Sequence, residues 1–276
     1  MKKLIYLFFL GIFLSSILVG CGLKSDNNIK KEVNIQAKIA NQNNKNKEYK
    51  NKEENKDYNV GDSSIKTSTN IVVIDPGHQE EAMNGLEPIG PGSNKSKPML
   101  SSGTRGVVTG VSEYQLTLDV SLKLRDKLRA KGYKVVMIRE NNHCPISNKG
   151  RAEIANKYKD GIFLRIHANG VPNREVSGIL TMCPGKNNPY TPAIVDDSRR
   201  LSLLILEQML KSTGAENKGI IETNNMSGIN WCKIPVSIIE MGFMSNPKED
   251  KLLQTESYQN KLVEGIAKGV DKFFDI

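Results

Sequence analysis

From Ile71 to the C-terminus, short apolar and β-branched runs alternate with longer segments of helical period, and that alternation leaves few folds open. Ile71 to Ile74, Lys134 to Ile138, Ile162 to Ile166, Ser177 to Met182 and Val236 to Ile239 read as strands, several of them punctuated by Gly, Pro or polar residues. Between them the spacing turns helical. Leu116, Val120, Leu124 and Leu128 recur every four residues in a helix that opens at Ser112 and ends near Gly132. Ser112, with Gln115 three residues on, has the form of a capping box. Further helices are expected over Gly150 to Tyr158, Ser198 to Leu210 and Tyr258 to Phe274. The alternation predicts an α/β domain, a mostly parallel twisted sheet with helices on both faces. Residues 71–276, about 200, suffice for one well-packed domain. Gln79 to Gly110 shows neither period and reads as one long loop, a length usually tied to function or disorder.

Parallel sheets bind ligands beyond the carboxyl ends of their strands, and three polar residues fall at such ends. His78 follows the first run through Asp75-Pro76-Gly77, His167 closes the third, and Glu240 ends the run Val236 to Ile239. Glu113 stands at the start of the Leu-rich helix. Two imidazoles and one carboxylate hold Zn²⁺ with its fourth tetrahedral position open to water, as hydrolytic sites require. His78, Glu113 and His167 are therefore the expected ligands of one zinc per chain, and Glu240 the expected base. Each residue taken alone has a plainer reading. A histidine can merely bond across a turn, an acid in a first helical turn suits the helix dipole, and a buried carboxylate can sit in a salt bridge. The third histidine, His143, lies in a polar loop and reads as solvent-exposed; beside Cys144 it offers no nucleophilic pair. Trp231 either stacks on a ligand or packs in the core.

The N-terminus has a different character. Lys2 and Lys3 precede a mostly apolar run from Leu4 to Val19, shorter than the ~20 residues of a membrane span, so residues 1–21 read as an export signal. Leu18-Val19-Gly20-Cys21 resembles the lipobox of bacterial lipoproteins, which makes Cys21 the expected lipidation site and anchors the exported protein to the membrane, facing the cell wall. A secreted protein in which Cys21 is incidental is the alternative. Residues 22–70, dense in Asn, Lys, Glu and Ser, cannot bury enough surface to offset chain entropy and read as a disordered tether. The formal charge of +9 comes from scattered lysines without a basic helix or aromatic platform. Nucleic acid is thereby excluded as a partner, and proximity to an anionic polymer accounts for the charge. With Cys21 set aside, Cys144, Cys183 and Cys232 remain, and an oxidising compartment permits one bridge, assigned to Cys183 with Cys232.

Four separated stretches carry a further resemblance. Val73-Ile74-Asp75-Pro76-Gly77-His78, Glu113 with its helix, Ile166-His167-Ala168-Asn169 and Ile239-Glu240-Met241-Gly242-Phe243-Met244-Ser245-Asn246 are similar, in order and spacing, to the zinc-dependent N-acetylmuramoyl-L-alanine amidases of the Amidase 3 family. Arg151-Ala152-Glu153-Ile154-Ala155-Asn156 matches as well. The resemblance covers nearly all of residues 71–276. It implies a six-stranded sheet, zinc on His78, Glu113 and His167, and catalysis by Glu240. The implied substrate is peptidoglycan, cut at the amide between N-acetylmuramic acid and L-alanine. The chain departs from the family in having Gln79-Glu80-Glu81 after the first histidine, where two small residues are usual. Its Gln79 to Val111 connection is also long, a variant resembling clostridial and phage-like amidases. A zinc peptidase or deacetylase acting elsewhere in peptidoglycan would use the same ligands. A non-catalytic wall-binding module would have no need of Glu240.

Overall fold

The computed structural model describes residues 70–276. The expected export signal, the expected lipidation site Cys21 and the expected tether up to residue 69 lie outside the described residues. The elements run β1 (Ile71–Pro76), β2 (Met83–Pro88), β3 (Ser96–Leu100), α1 (Glu113–Ala130), β4 (Lys134–Met137), α2 (Asn148–Ala155), β5 (Gly161–Asn169) and β6 (Ile179–Pro184). They continue with a 3-10 turn (Pro192–Ile194), α3 (Val195–Thr213), β7 (Asn217–Thr223), α4 (Ser227–Asn230), β8 (Val236–Phe243), α5 (Pro247–Leu253) and α6 (Glu256–Phe273).

Six strands form one sheet in the order β4-β1-β5-β8-β6-β7. Every pairing is parallel except β6 against β8. The period of two divides each central strand between two cores. Val72 and Ile74 of β1 and Ile162, Leu164 and Ile166 of β5 pack against α1, α3 and α6. Val73, Phe163, Val236 and Ile238 face the other way, toward Ala152 and Ala155 of α2 and Ile229 of α4. This second face has the shorter helices and less cover. Asp75, Arg165, His167 and Glu240 continue its alternation toward the strand ends, and that is where the cleft opens.

The strands run further than the apolar runs predict. β5 continues past His167 to Asn169, and β8 past Glu240 to Phe243, so both residues sit inside strands rather than at their ends. The sixth strand, β7, is an edge strand whose residues are mostly exposed or half-buried, which hides its period. The loop expected over Gln79 to Gly110 contains the antiparallel hairpin β2–β3 with an irregularity between Met83 and Leu86. The two large apolar residues of β2 differ, Met83 half-buried and Leu86 exposed, so no alternation marks the hairpin; Glu87, Ile89 and Leu100 anchor it by burial.

Two local expectations are corrected. Ser112 makes no side-chain cap bond to α1. Gln115 is drawn away instead, donating to Asp119 and accepting from Asn142. Cys183 and Cys232 do not form a disulfide: both are free, as is Cys144. Cys232 donates its thiol to the Gly228 carbonyl within the second core, and burial pushes both thiols up, Cys183 to about 11 and Cys232 to about 12.

Helices α3 and α6 meet backbone to backbone at two glycines of α6. A Cβ on Gly265 would lie 2.6 Å from Met209 Cα, and one on Gly269 2.6 Å from Ile205 Cα. Neither neighbour can yield without moving a helix. Gly269→Val should therefore cost about 2–3 kcal/mol by overpacking and lower the melting temperature by roughly 5–10 °C, read by calorimetry. An unchanged melting temperature would mean that the helices are not in contact there.

Candidate functional site

The turn after β1 is held by arginines. Pro76 O accepts from Arg139 Nε at 2.8 Å and Arg151 Nη1 at 3.0 Å. Gly77 O accepts from Thr117 Oγ1 at 2.8 Å and Arg139 Nη2 at 3.0 Å, and His78 O from Arg151 Nη2 at 3.1 Å. Asp75 neutralises part of this charge, bonding Arg151 Nη1 at 2.6 Å and Arg165 Nε at 2.9 Å with all three side chains buried. Burial alone would raise the Asp75 carboxyl; the two guanidiniums outweigh it and hold it at about 2. The clamp fixes His78 at φ +61°, a left-handed conformation that side chains other than glycine adopt only when their surroundings impose it. Gly77 packs directly on the His167 ring, where any Cβ would collide.

Three side chains converge beyond this turn. His78 Nε2 lies 3.0 Å from Glu113 Oε1 and 3.1 Å from His167 Nδ1, and His167 Nδ1 is 3.1 Å from Glu113 Oε1. Glu113 is aimed by two backbone amides, Ala168 N on Oε1 at 3.1 Å and Thr104 N on Oε2 at 2.9 Å. His78 is aimed from behind, because its Nδ1 stands 2.9 Å from the Ser101 carbonyl. An Nδ1–H donated to that carbonyl leaves Nε2 with a lone pair pointing at the other two atoms, the tautomer a metal ligand needs.

This triangle fits a divalent metal better than it fits hydrogen bonds. The two nitrogens face each other, and neutral imidazoles have too few protons to satisfy every edge. Tetrahedral zinc with ligands at about 2.0–2.1 Å has edges of about 3.3–3.4 Å, within a few tenths of those seen. Protonation favours the same reading. Burial pushes His167 down to about 4 against the opposing pull of the Glu113 carboxylate, so its ring is neutral at pH 7. Burial would raise the Glu113 carboxyl, but the two imidazoles that face it hold it far below the usual carboxylate range. Among the described residues this is the one group of three or more His, Cys, Asp or Glu able to hold a metal.

Glu240 enters the same space from the neighbouring strand. It is the register partner of His167 across β5–β8, and its Oε2 is buried without a hydrogen-bond partner. Burial, then the negative charge of Glu113, push it up to about 8, with Arg165 pulling weakly the other way. Two carboxylates in one site are thus driven in opposite directions, the usual mark of different roles. Glu240, His78 and His167 line one cleft of about 340 Å³, walled further by Lys97, Arg165 and Ser227.

The remaining sequence candidates lie elsewhere. His143 is at the surface, 3.7 Å from Glu80. Trp231 supports the hairpin: its Nε1 donates to Pro88 O at 2.9 Å, and Lys149 covers its ring at 4.4 Å. Both sequence readings of Trp231 are therefore incomplete, since it packs partly against the second core and does not line the cleft. Sequence reasoning missed Arg139, Arg165, Ser101 and Lys97. A signal for Arg165 was present, since an arginine inside the otherwise apolar run Ile162 to Ile166 demands a buried partner.

Known proteins bear on this site. The family model described as N-acetylmuramoyl-L-alanine amidase matches residues 72–272. A germination-specific N-acetylmuramoyl-L-alanine amidase of Bacillus subtilis is 28% identical over 228 residues, covering 76% of this chain and 82% of its own length. A Mycobacterium tuberculosis N-acetylmuramoyl-L-alanine amidase is 27% identical over 216 residues, covering 71% and 85%. Among solved structures, an N-acetylmuramyl-L-alanine amidase of Mycobacterium smegmatis superposes with a TM-score of 0.67 at 25% identity, covering 74% of this chain and 96% of that one. An N-acetylmuramoyl-L-alanine amidase of Clostridium difficile 630 gives a TM-score of 0.60 at 28% identity, covering 75% and 97%.

The donor set makes a quantitative prediction. Purified protein given zinc and dialysed should retain about one zinc per chain by elemental analysis, and His78→Ala or His167→Ala should retain almost none. Glu113→Gln should weaken retention, because a neutral amide is a poor ligand. Wild-type protein that holds no zinc would contradict the site.

Proposed function

The chain belongs to the N-acetylmuramoyl-L-alanine amidase family, and we propose that it hydrolyses the amide between the lactyl carbonyl of N-acetylmuramic acid and L-alanine in peptidoglycan. In this reading His78, Glu113 and His167 hold one zinc and Glu240 is the general base. The observation that carries it is the triangle of His78 Nε2, Glu113 Oε1 and His167 Nδ1 facing a cleft that also holds an unpartnered, raised carboxylate.

Zinc bound there would supply a Lewis acid able to polarise the scissile carbonyl and to acidify a water. Glu240 takes the water's proton through Oε2, the oxygen that no protein group occupies, and hands it to the departing amine as the C–N bond breaks. Such acid–base assistance is typically worth 10²–10⁴-fold. The site favours this cycle because a carboxyl raised toward neutrality both accepts and releases a proton readily near pH 7. Glu113 cannot serve, since its oxygens are committed to two amides and two imidazoles and its carboxyl is held ionised. Arg139, Arg151 and Asp75 take no part in proton transfer; they keep the His78 turn from relaxing.

Location follows the same reading. The sequence preceding the described residues supports export, lipidation at Cys21 and a polar tether long enough to reach a polymer standing off the membrane. No helix among the described residues is long and apolar enough to cross a membrane.

Two outcomes test the chemistry and the placement. Glu240→Gln should keep its zinc while kcat falls about 10²-fold or more. In the wild type, kcat/KM should rise with pH as Glu240 loses its proton, with a midpoint between its ordinary 4.5 and about 8, and that limb should vanish in the variant. Near-normal turnover by Glu240→Gln would contradict its role. Separately, Cys21→Ser should move the protein from the membrane fraction to the soluble exported fraction, followed by fractionation and immunoblot. Unchanged membrane association would mean that the apolar segment Leu4 to Val19 is itself retained as the anchor.

A further inference from the structure

Apart from the three metal-binding candidates and Glu240, the charged groups on the cleft wall are Lys97 and Arg165, both positive. Neither is fully accounted for by the fold. Arg165 uses Nε on Asp75 and Nη2 on Asn148, at 2.9 and 2.7 Å. Its Nη1 makes no hydrogen bond among the described residues. Asp75 shares a single negative charge between Arg151 and Arg165, so these three buried side chains carry one positive charge in excess. Gly228 lies against Arg165 Nη1, and any side chain at that position would collide with the nitrogen. The absent side chain leaves Arg165 bordering the cleft beside Ser227. Lys97, on strand β3 of the hairpin, borders the same cleft, and the one bond recorded for its Nζ is to the Asn225 carbonyl, at 2.6 Å. No carboxylate pairs with it among the described residues.

We infer that Lys97 and Arg165 form a carboxylate-binding subsite for the peptide portion of the substrate. The inference rests on the amidase reading, which also fixes which end of the substrate the subsite must hold. The only carboxyl group of N-acetylmuramic acid is consumed in the scissile amide, so any carboxylate the intact muramoyl peptide carries lies on the peptide side of that bond. A positive wall in the cleft therefore marks where the peptide lies, beneath the hairpin. Glu240 and the metal group stand at the bond to be cut. A flexible lysine on the hairpin and a rigid guanidinium on the sheet suit one carboxylate approached from two elements.

The test uses the full-length, zinc-loaded protein and two synthetic substrates. One is a muramoyl dipeptide with a free carboxylate on its second residue, and the other is the same compound with that carboxylate amidated. Wild type should prefer the acid by about 10-fold in kcat/KM, with the difference lying in KM. Lys97→Met should abolish the preference, Lys97→Arg should keep it, and Arg165→Gln should reduce it. Because acid and amide are compared within each variant, loss of the Lys97–Asn225 contact or partial misfolding cannot mimic the result. Equal rates on the two substrates by wild type, or an equal loss on both in Lys97→Met, overturns the subsite and leaves the amidase reading standing. Failure of wild type to cleave either substrate overturns the amidase reading and the subsite with it.

Discussion

The buried charge cluster around Asp75 is what the rest of the site depends on. One carboxylate, two guanidiniums bonded to it and a third, Arg139, that serves only polar groups of the turn and its neighbours are sunk beneath the sheet's carboxyl edge. Such a cluster is a poor source of net stability, because desolvation offsets most of its attraction. Its value here is positional. Five bonds to the carbonyls of Pro76, Gly77 and His78 leave the turn one conformation. In that conformation His78 accepts a left-handed φ and its Nε2 meets Glu113 and His167. Loosening Arg139 or Arg151 would release the histidine before it unfolded the domain.

The sheet supplies the second half of the arrangement. Parallel pairing of β5 with β8 sets His167 opposite Glu240, so a ligand candidate and a base candidate become neighbours although they are far apart in sequence. Environment then separates the two carboxylates. Glu113 is saturated with donors and stays ionised, while Glu240, whose Oε2 is buried without any, climbs to about 8. Two residues of the same type thereby acquire different chemistry from their surroundings alone.

Much of this was legible in the sequence, and the failures share a cause. β1, β5, β6, β8 and the long helices carry strong periods because they bury one face or both, and burial writes a pattern; the edge strand β4 is only half-buried, but its β-branched Val135 and Val136 still mark it. The hairpin and β7 bury little, so neither left one. His78, His167 and Glu240 were visible as polar residues following or ending apolar runs, and Glu113 as the acid that opens the Leu-rich helix. Their supports were less so, because Thr104 acts through its backbone amide and Ser101 through its carbonyl as well as its hydroxyl, and no side-chain pattern reveals the backbone groups. The Ser112 cap failed because Gln115 found better partners in Asp119 and Asn142, which only the fold brings near.

The central claim is that this cleft cuts the bond between muramic acid and the first alanine rather than another bond in the wall. Mass spectrometry of purified peptidoglycan digested with the zinc-loaded protein reads that bond directly. The account predicts stem peptides released with a free L-alanine amino terminus and glycan strands that keep their acetyl groups and gain free lactyl carboxyls. Peptides cut within the stem, or glycans that have lost acetyl groups while still bearing their peptides, would contradict it.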